Sequence, residues 1–213
     1  MSENQPDDEF DKQVEDLLAK GGRIYGANTT LAIEKGLDPR TNEALQPFYT
    51  CVAKIATQWG IFEMLLDETL WKLVDVEPSY GACVTSQIGS TYLKLKAITA
   101  LLPIWPETEP LISKLNQING GMEKIVRKRN RATHDPLAYD PKKDRVLVYR
   151  SIADKNEDFG WGVADLQEYK KTITEISKLS QAYAILKDEI LAHVASRGRP
   201  QSRRLQRLPH NTP

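Results

Sequence analysis

The chain has 213 residues, of which 40% are hydrophobic and 27% are charged, as is usual for a globular domain. Lysine plus arginine and aspartate plus glutamate number 29 each, so the net charge of zero gives no general attraction to nucleic acid. Two cysteines exclude a disulfide framework and a cysteine-rich zinc site. Since there is no signal-like segment and no apolar run of about 18 residues, we expect a cytoplasmic protein without a membrane association.

The two ends of the chain differ in charge. Acidic side chains concentrate in the first 16 residues, and residues 197–207 contain five arginines and no acidic residue. We expect an acidic, partly disordered segment over residues 1–40 and a disordered, arginine-rich tail over residues 197–213. Tails of this composition are usually solvated chain ends, and we take this as the main interpretation. The minor alternative is that the arginines bind RNA phosphates in a salt-dependent way. Residues 41–196 are predicted to form one helical domain.

The helical periodicity of apolar residues predicts α-helices over most of the first two thirds of the chain. After a short helix near residues 10–18, a long helix is expected over residues 43–74, with Pro47 in its first turn. A second helix is predicted over residues 87–102 and a third over residues 109–133, separated by a proline-rich corner. In the third helix, Gly120-Gly121 should bend the helix or admit a close neighbour. Its apolar face is formed by Leu111, Leu115, Ile118, Met122 and Ile125.

The pattern changes after Pro136. Residues 145–150 are β-branched and extended in character, and residues 159–163 can pair with them across a polar turn. A last helix is predicted over residues 164–194. The expected fold is mainly α, an up-and-down helical bundle with a small β-hairpin before the last helix.

The end of the third helix carries the most informative pattern. Arg129 occupies the next position of the apolar face, Asn130 follows it, and His134 lies four residues after Asn130. Asp135 precedes Pro136 and is biased away from the α region, so the helix should end near His134. Asn130 and His134 then share one side of the helix, and His134 lies where the helix dipole favours a cation.

The order Arg129-Asn130-x-x-x-His134 resembles the signature of the HEPN family, in which an arginine and a polar residue precede a histidine. A weaker resemblance lies in the glycine-plus-glutamate helix at residues 59–63, and the likeness covers residues 41–195. It implies a helical, metal-independent endoribonuclease without a cofactor, whose motif is doubled across a homodimer. Such domains often act in toxin–antitoxin or phage-defence systems, so the resemblance also implies an antitoxin or another protein partner.

The side chains of the motif suit RNA cleavage without a metal. RNA supplies its own nucleophile, the 2′-OH. His134 can transfer protons near neutral pH, and Arg129 can stabilise the charged phosphorane with its fork of donors. Asn130 can hold the imidazole or a phosphate oxygen. Three more basic side chains of this helix are candidate RNA contacts: Arg127, Lys128 and Arg131.

Two acidic residues are candidates for a supporting role beside the motif residues. Glu63 can pair with Arg129, although solvent exposure or a structural ion pair is the more ordinary interpretation. Asp135 is more often a helix-end and turn residue than a catalytic acid. No histidine or cysteine has ligand spacing, so no metal site is predicted. The large aromatic residues of the first helices are expected in the core: Trp59, Phe62, Trp71 and Tyr92.

A purely structural interpretation competes with the catalytic one. An arginine at the edge of an apolar face often extends its charged group to solvent, and a histidine near a helix end can act simply as a cap. The alternative function is therefore a non-catalytic helical dimer that binds RNA, a nucleotide or a partner protein.

Overall fold

A computed structural model describes residues 39–150 and 160–198, which form five α-helices and a three-stranded antiparallel sheet. The predicted mainly α fold with a small β element is confirmed. The predictions for residues 10–18 and for the arginine-rich tail lie outside the described residues. The elements in chain order are α1 (Pro39–Val74), α2 (Pro78–Thr85), α3 (Thr91–Leu101), a 3₁₀ helix (Leu102–Ile104), α4 (Glu109–His134), β1 (Leu137–Asp140), β2 (Arg145–Arg150), β3 (Gly160–Val163) and α5 (Leu166–Arg197).

The long first helix is confirmed, but it begins earlier than predicted. α1 has 36 residues and starts at Pro39, whose fixed φ suits a first helical turn. Pro47 consequently lies inside the helix rather than in its first turn. Its missing N–H costs one intrahelical hydrogen bond.

The segment after α1 contains a helix that the sequence did not predict. Glu77-Pro78 resembles a helix end, but it begins α2: the Glu77 carboxylate accepts a hydrogen bond from the backbone N–H of Ser79 at 3.1 Å. Pro78 fits the first turn because its missing N–H would have no helical partner there. An acid followed by a proline is thus a start signal here.

The helix predicted over residues 87–102 is shorter in the structure, and one residue expected in the core lies at the surface. α3 begins at Thr91 because the Ser90 side chain caps it, accepting a hydrogen bond from the Leu93 N–H at 3.2 Å. The prediction that Tyr92 lies in the core is wrong, since 47% of this residue is exposed and the Lys96 ammonium lies over its ring. Ile98, six residues further along α3, is fully buried instead.

The hairpin prediction is confirmed and extended by one strand. β2 pairs antiparallel with β3, with Tyr149 opposite Trp161. β1 adds to the other edge of β2, with Leu137 opposite Val148. The sequence missed β1 because it has only four residues. It ends at Asp140, whose carboxylate accepts backbone N–H groups of the following turn.

The described residues divide into two compact units. The sheet unit comprises residues 39–52 and 130–169, that is, the start of α1, the last residues of α4, the sheet and the start of α5. The helix unit comprises residues 53–129 and 170–198. In the sheet unit, Phe48 and Tyr169 meet edge to face at 5.4 Å.

The helix unit has the larger aromatic core. Phe62 contacts Tyr183 edge to face at 5.6 Å, and both are fully buried. The Tyr183 hydroxyl donates to the Thr69 hydroxyl at 2.8 Å, so the buried phenol keeps a partner. Gly120-Gly121 lies on an open side of α4, where no atom of the described residues comes within 4 Å of an added Cβ, so of the two expected roles the close approach of another helix is excluded within this part of the chain.

Candidate functional site

The helix that carries the motif ends where the sequence predicts. α4 closes at His134, and the Asp135 N–H donates the last helical bond to the Arg131 carbonyl at 2.9 Å. Pro136 follows at once and cannot continue the hydrogen-bonding pattern. The His134 side chain is exposed, so its imidazole is accessible to solvent and to a ligand.

Asn130 belongs to the same end of the helix. Its side chain is exposed, and it lies one helical turn before His134. The Thr133 hydroxyl donates to the Asn130 carbonyl at 3.3 Å, which gives the last turn a local hydrogen bond. In the sheet unit, the motif therefore places two exposed polar residues one turn apart at the end of α4.

Arg129 is the last α4 residue of the helix unit, and its surroundings there are aromatic. Its guanidinium carbon lies 5.8 Å from the centroid of the Trp59 ring, within cation–π range. Arg129 is half-buried with a buried Nε, and Trp59 is only 3% exposed. The position that continues the apolar face is thus filled by a cation stacked on an indole.

Glu63 binds the N–H edge of that indole. Its Oε1 accepts a hydrogen bond from Trp59 Nε1 at 3.1 Å and another from the Thr91 hydroxyl at 2.6 Å. Glu63 is half-buried rather than solvent-exposed, and among the described residues its carboxylate is held by these two hydrogen bonds and not by an ion pair. The expectation that Trp59 is a core residue is confirmed, and its link to Arg129 is the feature that the sequence did not reveal.

The candidate RNA contacts on α4 differ in their exposure and in their ion pairs within the chain. Lys128 is ion-paired with Glu175 at 2.7 Å, with about 29% and 28% of the two side chains exposed. Arg127 pairs with Glu123 one turn earlier at 2.9 Å, on the exposed side of the helix. Arg131, in the sheet unit, is half-buried.

Asp135 acts on a buried phenol of the sheet unit. Burial raises the pKa of Tyr169 to about 12, and the negative charges of Asp135 and Glu168 add to this rise. Arg150 opposes it. Asp135 also lies at the end of α4, directly before the turn into β1.

No protein-family model, curated protein or solved structure matches the chain. Among the residues that the structure describes, no three His, Cys, Asp or Glu side chains are arranged to hold a metal ion. None of the helices over residues 39–150 and 160–198 has the length and apolarity that crossing a membrane requires.

Proposed function

We propose that the chain is a metal-independent endoribonuclease of the HEPN type that acts as a homodimer in the cytoplasm. The observation that carries this proposal is the exposed His134 on the last residue of α4, one turn after an exposed Asn130. A proton-transfer group at a helix end can reach an RNA backbone without disturbing the packed residues upstream.

The chemistry needs one group to take a proton and one to give a proton. The 2′-oxygen attacks the adjacent phosphorus and loses its proton to a base, while the 5′-oxygen leaves and takes a proton from an acid. The products are a 2′,3′-cyclic phosphate and a 5′-hydroxyl. One His134 per chain can fill one of these roles at a time, so a second copy of the motif completes the site.

Arg129 supplies the positive charge for the same step. A guanidinium can donate two parallel hydrogen bonds to phosphate oxygens and stabilise the charge that develops on them. Asn130 orients either the imidazole or a phosphate oxygen. The interface of the dimer then includes residues from about Met122 to Pro136, and sedimentation should show a dimer at micromolar concentration.

A second candidate function is favoured by two basic side chains of α4 that already contact other residues of the chain. Arg129 stacks on Trp59, and Lys128 is paired with Glu175. This arrangement suits a non-catalytic helical dimer that binds RNA, a nucleotide or a partner protein. A place in a toxin–antitoxin or phage-defence system, with a neutralising partner, follows from the family resemblance under either function.

Incubation of the purified chain with RNA in EDTA tests the proposed function. We expect cleavage that magnesium does not enhance, products ending in a cyclic phosphate, and no cleavage of DNA of the same sequence, because DNA lacks the 2′-OH. Cleavage that EDTA abolishes and magnesium restores would contradict the metal-free mechanism. Binding of RNA without any cleavage would favour the second candidate.

A further inference from the structure

The long helix α1 has a second row of uncharged residues on its exposed side, in addition to the apolar face that it buries. Successive members of the row are three, one and three residues apart, so they share one side of the helix. We call them the α1 stripe, which consists of four exposed residues in the helix unit: Thr57, Gly60, Ile61 and Met64. No charged residue lies between Lys54 and Glu63 on this helix.

The packing of the described residues does not account for the α1 stripe. Ile61 is 46% exposed and Met64 is 48% exposed, although both side chains are large and apolar. A Cβ added at Gly60 would meet no atom of the described chain within 4 Å, and glycine inside a helix is less stable than alanine. Apolar residues with methionine and without charge are typical of the core of a protein interface. The stripe therefore has the composition of a contact surface.

α3 extends this surface beyond α1. The Thr91 hydroxyl donates to Glu63 at 2.6 Å, and the Lys94 ammonium pairs with Asp67 at 2.7 Å. Leu93 lies between these two contact residues of α3 and is 49% exposed. A further apolar side chain thus borders the α1–α3 contact on which Met64 also lies.

The order of side-chain sizes in the α1 stripe indicates what packs on it. The stripe is symmetrical about the point between Gly60 and Ile61. If two copies of α1 pack antiparallel across a two-fold axis at this point, Ile61 of each copy lies opposite Gly60 of the other copy. Met64 of each copy then lies opposite Thr57 of the other. Large side chains meet small ones at every level, so the two helices can interdigitate.

The charges at the two ends of the stripe agree with the antiparallel arrangement. Lys54 precedes the stripe and Glu68 follows it. Glu68 pairs with Lys187 within the chain, and 38% of its side chain is exposed. Antiparallel packing brings Lys54 of one copy toward Glu68 of the other, whereas parallel packing would bring each lysine toward its own counterpart. Because like charges repel, the antiparallel arrangement is favoured.

We propose that the α1 stripe is a self-association surface, on which a second copy of the chain packs antiparallel across a two-fold axis. The stripe shares no residue with the interface proposed at residues 122–136, and the inference does not depend on RNA cleavage. The chain forms a dimer if the stripe is its single interface, and a tetramer if both interfaces form.

Sedimentation equilibrium of the full-length protein under reducing conditions tests the proposal. Ile61→Glu places one carboxylate from each copy beside the two-fold axis, where the two like charges repel. We expect association through the stripe to weaken by about 100-fold or more, so the mass of Ile61→Glu at micromolar concentration should be half that of the wild type. Equal masses for the two proteins would overturn the proposal. A monomeric wild type would also overturn it and would point to a different partner for the stripe.

α5 provides a matched control for this substitution. Ile185 is 65% exposed on that helix, but Asp188 and Glu189 follow it within one turn, so its surroundings are charged. Ile185→Glu makes the same chemical change at an exposed isoleucine outside the stripe. We expect its mass to equal that of the wild type. If Ile185→Glu and Ile61→Glu lower the mass equally, the effect is not specific to the stripe and the proposal fails.

A mixture of two variants tests whether the partner is a second copy. Ile61→Lys should weaken association as Ile61→Glu does, but an equimolar mixture of the two should regain the wild-type mass, because opposite charges then meet at the axis. A mixture that stays at half the wild-type mass would contradict the two-fold arrangement. Met64→Glu repeats the first test if far-UV circular dichroism shows that Ile61→Glu is not folded.

Cleavage of RNA by the same proteins separates this inference from the proposed function. A wild type that does not cleave RNA would remove the proposed function, while the masses would still decide whether the stripe associates. A wild type that cleaves RNA, together with an unchanged mass for Ile61→Glu, would overturn the inference alone.

Discussion

Alanine substitutions of Arg129 and His134 should differ in their effect on stability, although both residues belong to one motif. His134 is exposed, so His134→Ala at pH 8 should change the free energy of unfolding by no more than about 0.5 kcal/mol. Arg129 is half-buried, so Arg129→Ala removes a partly desolvated cation–π contact worth about 1–2 kcal/mol and the packing of an apolar stem. We expect a loss of about 2 kcal/mol for Arg129→Ala.

Urea unfolding followed by far-UV circular dichroism measures this difference. With a typical m-value of about 2 kcal/mol/M, the midpoint for Arg129→Ala should fall by about 1 M relative to the wild type. Asn130→Ala is a further exposed control. Equal midpoints for Arg129→Ala and His134→Ala, with equal m-values, would refute the claim that the Trp59 stack stabilises the fold. Because Arg129→Ala is expected to destabilise the fold, a loss of activity in this variant could reflect either the fold or the chemistry. A loss of activity in His134→Ala would reflect the chemistry.

Three further predictions concern the fold. Burial raises the pKa of Tyr169 to about 12, so the unfolded chain loses this proton before the folded chain as pH rises above about 10, and up to about 3 kcal/mol of stability should disappear by pH 12. Tyr169→Phe should remove this part of the alkaline loss of stability, as measured by denaturant titrations at several pH values. An equal loss of stability in the wild type and in Tyr169→Phe would contradict the prediction. A Cβ at Gly81 would overlap the Trp71 ring, so Gly81→Ala should cost about 1–3 kcal/mol in thermal unfolding, and an unchanged Tm would be the opposing result. Gly120 is helical and faces open space, so Gly120→Ala should instead stabilise the chain by about 0.5–1 kcal/mol, and destabilisation would contradict the open surroundings.

Local rules were sufficient for much of the fold. The end of α4 follows from the backbone restriction that Pro136 imposes on Asp135, and the β2–β3 pairing follows from the β-branched and aromatic residues in the two stretches. Both features depend on neighbours close in sequence. α2 was missed because an acid before a proline marks a helix start as readily as a turn, and the Glu77 cap decides between them.

The surroundings of the motif could be predicted only in part. The exposure of His134 follows from its place at a helix end, but the partners of Glu63 do not follow from sequence. Thr91 is 28 residues from Glu63 along the chain, and only the packing of α3 against α1 brings the two together. The spacing of Trp59 and Glu63, one turn apart on one helix, was the available signal for the indole–carboxylate bond. The stack of Arg129 on Trp59 had no such local signal.

The most direct test of the proposed function is the single-turnover rate of RNA cleavage in EDTA by the wild type and two histidine variants. His193 on α5 is the matched control, since its Nε2 lies 2.8 Å from the Pro106 carbonyl in the helix unit, away from the motif in sequence. We expect His134→Ala to cleave about 10²–10⁴-fold more slowly than the wild type, as for loss of a general acid or base, and His193→Ala to cleave at the wild-type rate. Equal rates for the wild type and His134→Ala, or no cleavage by the wild type, would contradict the proposed function.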